Sequence, residues 1–157
     1  MGRTLSYLIL LVSAIALTVI SLVKPLYLSD ANVFLDGFVN HEFLNILGVI
    51  LAITLASVAN IHLAFNRIEE RYGKPGGLAK SRENLRKASS WLIALFIMGA
   101  VLVIVKPVAC ASDVTEALFN SGALVVLIWH VLILISLTEL VFRIEPEFPK
   151  RSGNDGA

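Results

Sequence analysis

Residues 43–65 read FLNILGVILAITLASVANIHLAF and contain no Asp, Glu, Lys or Arg. A helix of about 17–25 residues crosses the roughly 30 Å hydrocarbon core of a bilayer, so this run predicts a membrane-spanning helix. Comparable apolar runs occupy residues 5–23, 89–105 and 117–142. A segment in lipid must satisfy its own backbone hydrogen bonds, and none of these runs alternates in polarity as barrel strands do. The sequence therefore predicts an all-α polytopic membrane protein, a bundle of four transmembrane helices.

The composition of the whole chain agrees with this interpretation. Hydrophobic residues make up 57% of the 157 residues and charged residues 16%, whereas soluble domains average about 45–50% and about 25%. The formal net charge of +1 gives no bulk attraction to nucleic acid, which is therefore not an expected partner. We expect one membrane domain over residues 1–148 and a disordered tail over residues 149–157.

Basic residues are distributed unevenly among the segments that connect the apolar runs. The connection over residues 66–88, here called the basic loop, carries most of them: Arg67, Arg71, Lys74, Lys80, Arg82, Arg86 and Lys87. The two other connections hold only Lys24 and Lys106, together with several acids. Short loops rich in Lys and Arg stay in the cytoplasm. The pattern predicts a multi-pass protein of the cell (inner) membrane with both termini and the basic loop cytoplasmic.

The two halves of the chain share a pattern. Lys24-Pro25 ends the first run and Lys106-Pro107 ends the third, and an Arg-Ile-Glu triplet follows the second and fourth runs at residues 67–69 and 143–145. This pattern favours two tandem helical hairpins that arose by duplication. Convergence is the alternative, because Lys-Pro is a natural exit from a membrane helix and Arg a natural return to the cytoplasm.

Signatures of soluble enzymes are absent from the sequence. It contains no Gly-rich phosphate loop, no Gly-x-Ser-x-Gly elbow and no Cys-x-x-Cys pair. His41-Glu42 begins like the zinc-binding helix of a metalloprotease, but Asn45 occupies the position of the required second histidine. Cys110 is the only cysteine, which excludes a multi-cysteine metal site. We therefore expect no catalytic residues, no metal site and no cofactor.

Polar residues inside the apolar runs are candidates for function, because such groups are costly in hydrocarbon. His130 lies deepest and suggests a proton-relay or pore-lining group; its alternative is a neutral imidazole that hydrogen-bonds a neighbouring helix. Asn60, His62 and Glu139 share a depth near the basic loop and suggest a gating or cation-binding cluster. The alternatives are a pairing of Glu139 with Arg143 along the helix and a His62 that reaches the headgroups.

A stripe of small residues follows the second run. Gly48, Ala52, Ala56 and Asn60 recur every four residues, and small residues at this spacing let two helix backbones approach closely. Packing within the chain and packing between chains both explain the stripe. In either case it marks the second span as the predicted hub of the bundle.

The basic loop has a further predicted role. Lys80, Arg82, Arg86 and Lys87 precede the third run, where each would attract anionic lipid headgroups by about 1 kcal/mol. The same residues are candidates for contact with an unidentified protein partner. Membrane topology alone also accounts for them.

These observations rank three classes of function. The first is a small non-catalytic integral membrane protein that acts through assembly with itself, as a homo-oligomer, or with partners. The second is an oligomeric channel or pore, or a membrane-disrupting effector. A membrane-embedded enzyme comes third, because its only candidate site is the weak cluster of Asn60, His62 and Glu139.

Overall fold

A computed structural model describes residues 3–73 and 76–143, with side-chain detail from Thr4 to Glu139. The helices are α1 (Arg3–Val23), α2 (Val33–Phe38), α3 (His41–Tyr72), α4 (Ala79–Ala109) and α5 (Asp113–Arg143), and a 3₁₀ turn covers Pro25–Tyr27. The described ranges contain no strand. Four of the helices are long and apolar enough to cross a membrane, which confirms the predicted four-span, all-α fold. The predicted tail over residues 149–157 lies outside the described residues.

The local sequence explains where α3 begins and ends. The Asn40 side-chain oxygen accepts a hydrogen bond from the Glu42 backbone N–H at 2.9 Å, which satisfies one of the free amides of the first turn. Gly73 follows the last residue, Tyr72, in the left-handed conformation with φ = 60°, which is favourable only for a residue without a Cβ. The helix therefore continues past the apolar run into the basic loop.

The two Lys-Pro pairs have different conformations, contrary to the sequence pattern. Lys24-Pro25 follows the end of α1, whereas α4 continues through Lys106-Pro107 to Ala109. Pro107 cannot donate a backbone hydrogen bond to the Val103 carbonyl, yet α4 continues to Ala109 and the Cys110 N–H bonds to the Lys106 carbonyl at 3.0 Å. The third span therefore ends later than predicted, and the tandem repeat is not confirmed.

Helix α5 is the centre of the bundle. Helices α1 and α4 both pack along it, and α3 packs along α4 with a smaller contact to α5. Extensive packing between α1 and α3, which a packed first hairpin would require, does not occur in the described ranges. The prediction that the second span is the hub was therefore wrong: within the chain α3 lies at the periphery.

The interior consists of two apolar clusters at different depths. Near the end formed by residues 24–40 and 106–116, here called the acidic end, Phe43 and Leu47 of α3 pack with Leu95 and Val126. Near the opposite end, here called the basic end, the cluster contains Phe65, Leu85, Leu92 and Leu137. Gly99 permits the close approach of α4 to α3, since a Cβ there would lie 2.8 Å from Leu47 Cδ1.

Candidate functional site

The small-residue stripe lies on the side of α3 that faces away from the rest of the chain. The buried positions of α3 are Phe43, Leu47, Thr54 and Phe65. Ala52, Ala56 and Asn60 are exposed, and Gly48 is half-buried beside the Phe96 ring. The close approach between α3 and α4 uses Gly99 instead. Intrachain packing therefore leaves most of the stripe uncovered.

Asn60 is the polar residue of this exposed stripe. Its amide has no hydrogen-bond partner in the described part of the chain, and Ser57 beside it uses its hydroxyl to bond the Ile53 carbonyl at 2.9 Å. Lipid tails offer no hydrogen bonds, so an unpaired side-chain amide at this position has a solvation cost in the membrane.

The structure does not bring Asn60 and His62 together. Side chains two residues apart are separated by about 200° around a helix, so they lie on nearly opposite faces. Both side chains are exposed. His62 lines a cleft between α3 and α4, beside Arg82 and Arg86. Glu139 is half-buried on α5, and its predicted partner, the Arg143 side chain, lies outside the described side chains. The Asn60–His62 part of the predicted cluster is therefore not formed within one chain.

His130 occupies the core between the two apolar clusters. Its exposed fraction is 0%, and neither ring nitrogen has a hydrogen-bond partner among the described residues. A side chain without accessible surface does not line an open pathway within a single chain. The alternative interpretation, a hydrogen bond between His130 and a neighbouring helix, is not observed in the described ranges either.

The basic residues in the first turns of α4 have separate roles. The Arg82 guanidinium forms an ion pair with Glu69 Oε2 at 2.9 Å, while Glu69 Oε1 accepts the Leu78 N–H at 3.0 Å. Arg82 therefore helps to hold the turn between α3 and α4. Lys87 pairs with Glu83 at 2.6 Å on the surface of α4. Lys80 and Arg86 are exposed, so the predicted contact with lipid or a partner is sterically open to them.

A polar cluster at the acidic end was not predicted. The Lys106 ammonium donates to Asp30 Oδ1 at 2.6 Å, and the Asn120 amide donates to the same oxygen at 3.0 Å and to the Leu28 carbonyl at 2.8 Å. Glu116 Oε2 accepts the Asp30 backbone N–H at 3.3 Å. These contacts attach the α1–α2 connection to α4 and α5.

A contact between a serine of α1 and a serine of α5 adjoins this cluster. Ser21 is fully buried, and its hydroxyl lies 2.7 Å from the Ser121 hydroxyl of α5. The same Ser21 hydroxyl also lies 3.1 Å from the Ala117 carbonyl. Hydroxyl-to-hydroxyl contacts are a frequent means of joining membrane helices. They fix the end of α1 against α5.

The acidic end has a defined electrostatic state. Burial opposes ionisation of Asp30, but the hydrogen bonds from Lys106 and Asn120 and the Lys106 charge outweigh it, so the pKa of this carboxyl is lowered. Burial and the nearby charge of Glu116 raise the pKa of the Cys110 thiol. At neutral pH the Asp30 carboxyl is therefore ionised, and the Cys110 thiol near the cluster is protonated.

This chemistry is typical of a structural connection. The Asp30 charge is already neutralised by Lys106, and no group of three or more His, Cys, Asp or Glu side chains suited to a metal ion occurs in the described ranges. The signal for the cluster was present in the sequence: a lysine at the end of an apolar run requires a counter-charge, and Asp30 is in the facing connection. Asn120, a polar residue inside the fourth run, is the other indication.

Comparisons with protein-family profiles, with curated proteins and with solved structures gave no match to this chain.

Proposed function

We propose that the protein is a non-catalytic component of the membrane that assembles with further copies of itself through the exposed stripe of α3. The observation that carries this proposal is the position of Ala52, Ala56 and Asn60, which face away from α4 and α5. Small side chains that no helix of the same chain covers permit another backbone to approach.

The Asn60 amide supports an assembly over simple contact with lipid. An exposed amide without a partner is unfavourable in hydrocarbon, and two copies of α3 packed along the stripe would place their amides near each other. Interhelical hydrogen bonds of this kind contribute on average about 0.6 kcal/mol and at most about 1.7 kcal/mol in membranes. The small residues provide close packing, and Asn60 provides the reason to exclude lipid.

The charge distribution completes the proposal. We propose that the basic end, which contains Lys80 and Arg86, lies on the cytoplasmic side of the cell (inner) membrane, together with both termini. The exposed cations of this end are then available to a cytoplasmic protein partner. Assembly through α3 leaves them free, because both belong to α4.

The test measures association in liposomes. Full-length protein with donor or acceptor fluorophores on terminal tags is diluted with lipid, and energy transfer between chains is followed. Asn60→Leu is expected to weaken association about 3- to 20-fold, which corresponds to one interhelical hydrogen bond. Ala56→Leu is expected to weaken it as well, because a larger side chain separates the backbones.

Ala16→Leu is the matched control. Ala16 is an exposed alanine of α1, so the same change in volume occurs on a helix outside the proposed interface. A wild-type protein that remains monomeric at the highest protein-to-lipid ratio would overturn the proposal. Equal weakening by Ala16→Leu would also overturn it, because the effect would then not be specific to α3.

The burial of His130 does not favour the pore alternative. An oligomeric pore would place water against titratable groups, and the ring of His130 has no accessible surface. Asn60, by contrast, is exposed on the face that would meet another copy. Assembly without conduction is therefore the function that we propose.

A further inference from the structure

A cavity of about 250 Å³ opens between α1, α4 and α5 in the half of the bundle near the basic end. Tyr7, Trp91, Trp129 and Leu132 contribute to its walls, and Lys87 lies at its edge. This cavity, here called the aromatic cleft, exists because α1 packs along α5 but not extensively along α4. It is therefore a gap in the protein surface at the depth of one lipid leaflet.

The walls of the aromatic cleft are preformed. The Trp91 and Trp129 rings lie 5.4 Å apart between centroids, tilted by 30°, which is a favourable separation for an aromatic pair. Trp91 is nevertheless 54% exposed, so the pair offers its outer surface to whatever occupies the cleft. Tryptophan and tyrosine side chains are typical neighbours of lipid at the boundary between headgroups and acyl chains.

The mouth of the cleft is polar and positively charged. Lys87 lies one helical turn before Trp91 on α4, towards the basic end, and Asn84 lies beside it in the cavity lining. Lys87 also lines a second cavity of about 470 Å³, which it shares with Arg86 and Trp91. Lys87 and Trp91 thus form a ridge with an apolar cavity on either side and a cation at its polar end.

The ion pair of Lys87 does not prevent binding of an anion. Its partner Glu83 and Lys87 itself are 62% and 65% exposed, and ion pairs this exposed contribute little because water screens them. With Arg86 in the adjoining cavity, the three side chains have a net positive charge. A phosphate group can therefore replace or join Glu83 at little cost.

We propose that the aromatic cleft binds one anionic phospholipid of the leaflet at the basic end. The lipid phosphate contacts Lys87 and Asn84, and the acyl chains lie on the two sides of Trp91. A lipid in this position fills the gap between α1 and α4. This proposal is independent of assembly through α3, because the cleft lies on a different part of the surface.

The chain supplies its own probe for this site. Trp91 and Trp129 are its only tryptophans, since the sequence contains 2, and both line the cleft. The difference in quenching between two brominated lipids therefore reports which lipid the cleft prefers. Full-length protein is placed in vesicles that contain a minority of brominated phosphatidylglycerol among plain phosphatidylcholine. A second set of vesicles contains the same minority of brominated phosphatidylcholine among plain phosphatidylglycerol.

Brominated phosphatidylglycerol is expected to quench more strongly than brominated phosphatidylcholine at the same mole fraction. Lys87→Gln is expected to reduce this preference about five-fold, the effect of one surface cation on an anionic lipid. Lys87→Arg should retain the preference, because the charge remains. Lys80→Gln is the matched control, because Lys80 is an exposed cation of the same helix outside the cavity lining.

Equal quenching by the two brominated lipids in the wild-type protein would overturn the proposal. So would weak quenching by both, which would show that protein and not lipid fills the cleft. A Lys87→Gln variant that keeps the wild-type preference, while its circular dichroism shows the same helix content, would remove the assigned role of Lys87. A loss of the preference in Lys80→Gln as large as that in Lys87→Gln would show a general surface potential instead of a site.

Discussion

The Asp30–Lys106 pair allows a prediction in which the two single variants differ in cost. Lys106 is 10% exposed at its side chain and Asp30 30%. Removing one partner of a buried ion pair costs about 3–5 kcal/mol, because the remaining charge is left buried. Asp30→Asn leaves the less exposed charge, the Lys106 ammonium, without its counter-charge. We expect it to reduce the free energy of unfolding by about 3 kcal/mol.

Lys106→Met is expected to cost less, about 1.5–2 kcal/mol, at the low end of the range for one lost charged hydrogen bond. The Asp30 carboxylate is more exposed, and it keeps its hydrogen bond from Asn120 at 3.0 Å. The double variant Asp30→Leu with Lys106→Met removes both charges. It is expected to be more stable than Asp30→Asn alone, because apolar pairs of similar volume often replace buried ion pairs without loss.

Equilibrium unfolding in mixed micelles, followed by circular dichroism, measures these differences. Asp36→Asn and Lys24→Met are the matched controls, because both residues are exposed in the same connection. The reasoning would be refuted if Lys106→Met cost as much as Asp30→Asn. A double variant no more stable than Asp30→Asn alone would refute it equally, because the unpaired Lys106 charge would then not be the source of the cost.

The pH dependence of this contribution follows from the lowered pKa of Asp30. A carboxyl whose pKa is lowered by folding contributes its full stabilisation above its ordinary pKa of about 3.9. The contribution is lost as the pH falls through the lowered value. Wild-type protein is therefore expected to lose stability below about pH 4, and the difference between wild type and Asp30→Asn should shrink over the same interval.

Two further predictions concern the core and the topology. His130→Leu is expected to raise the free energy of unfolding by about 1–2 kcal/mol, because it removes two buried ring nitrogens without partners; a loss of stability in the same micelle assay would show that the imidazole is hydrogen-bonded. A reporter that is active only in the cytoplasm is expected to function when fused after Lys74 and to fail after Asp36, and activity at Asp36 would contradict the proposed orientation.

The four spans were predictable because their signal comes from many residues at once. The hydropathy of each apolar run is averaged over its whole length, so single polar residues such as Thr54 or Ser121 do not obscure the signal. The end of α3 was equally readable, since Gly73 follows a polar helical extension and adopts the conformation that favours glycine. Such features depend on composition or on immediate neighbours.

The packing order of the helices was not predictable by the same means. In a membrane, the helix faces that pack against other helices and the faces that contact lipid carry similar side chains. Hydrophobic periodicity therefore does not indicate which helices are in contact. The sequence left the stripe on α3 open to packing within the chain or between chains, and the contact within the chain uses Gly99 of α4. The Asp30–Lys106 pair joins residues 76 positions apart: the sequence indicates that Lys106 needs a counter-charge, but not which acid supplies it. Depth along the membrane could be inferred from the sequence, but direction around each helix could not.

The packing of α1 against α5 has a consequence for biogenesis. Ser21 and its contact Ser121 are 100 residues apart, and ribosomes add about 5–20 residues per second. The first helix therefore waits about 5–20 s after its own synthesis before its partner exists. During this interval its two flanks meet only lipid or the insertion machinery. Closure of the bundle is a late step, and any stop in translation before α5 leaves the first helix without its permanent neighbour.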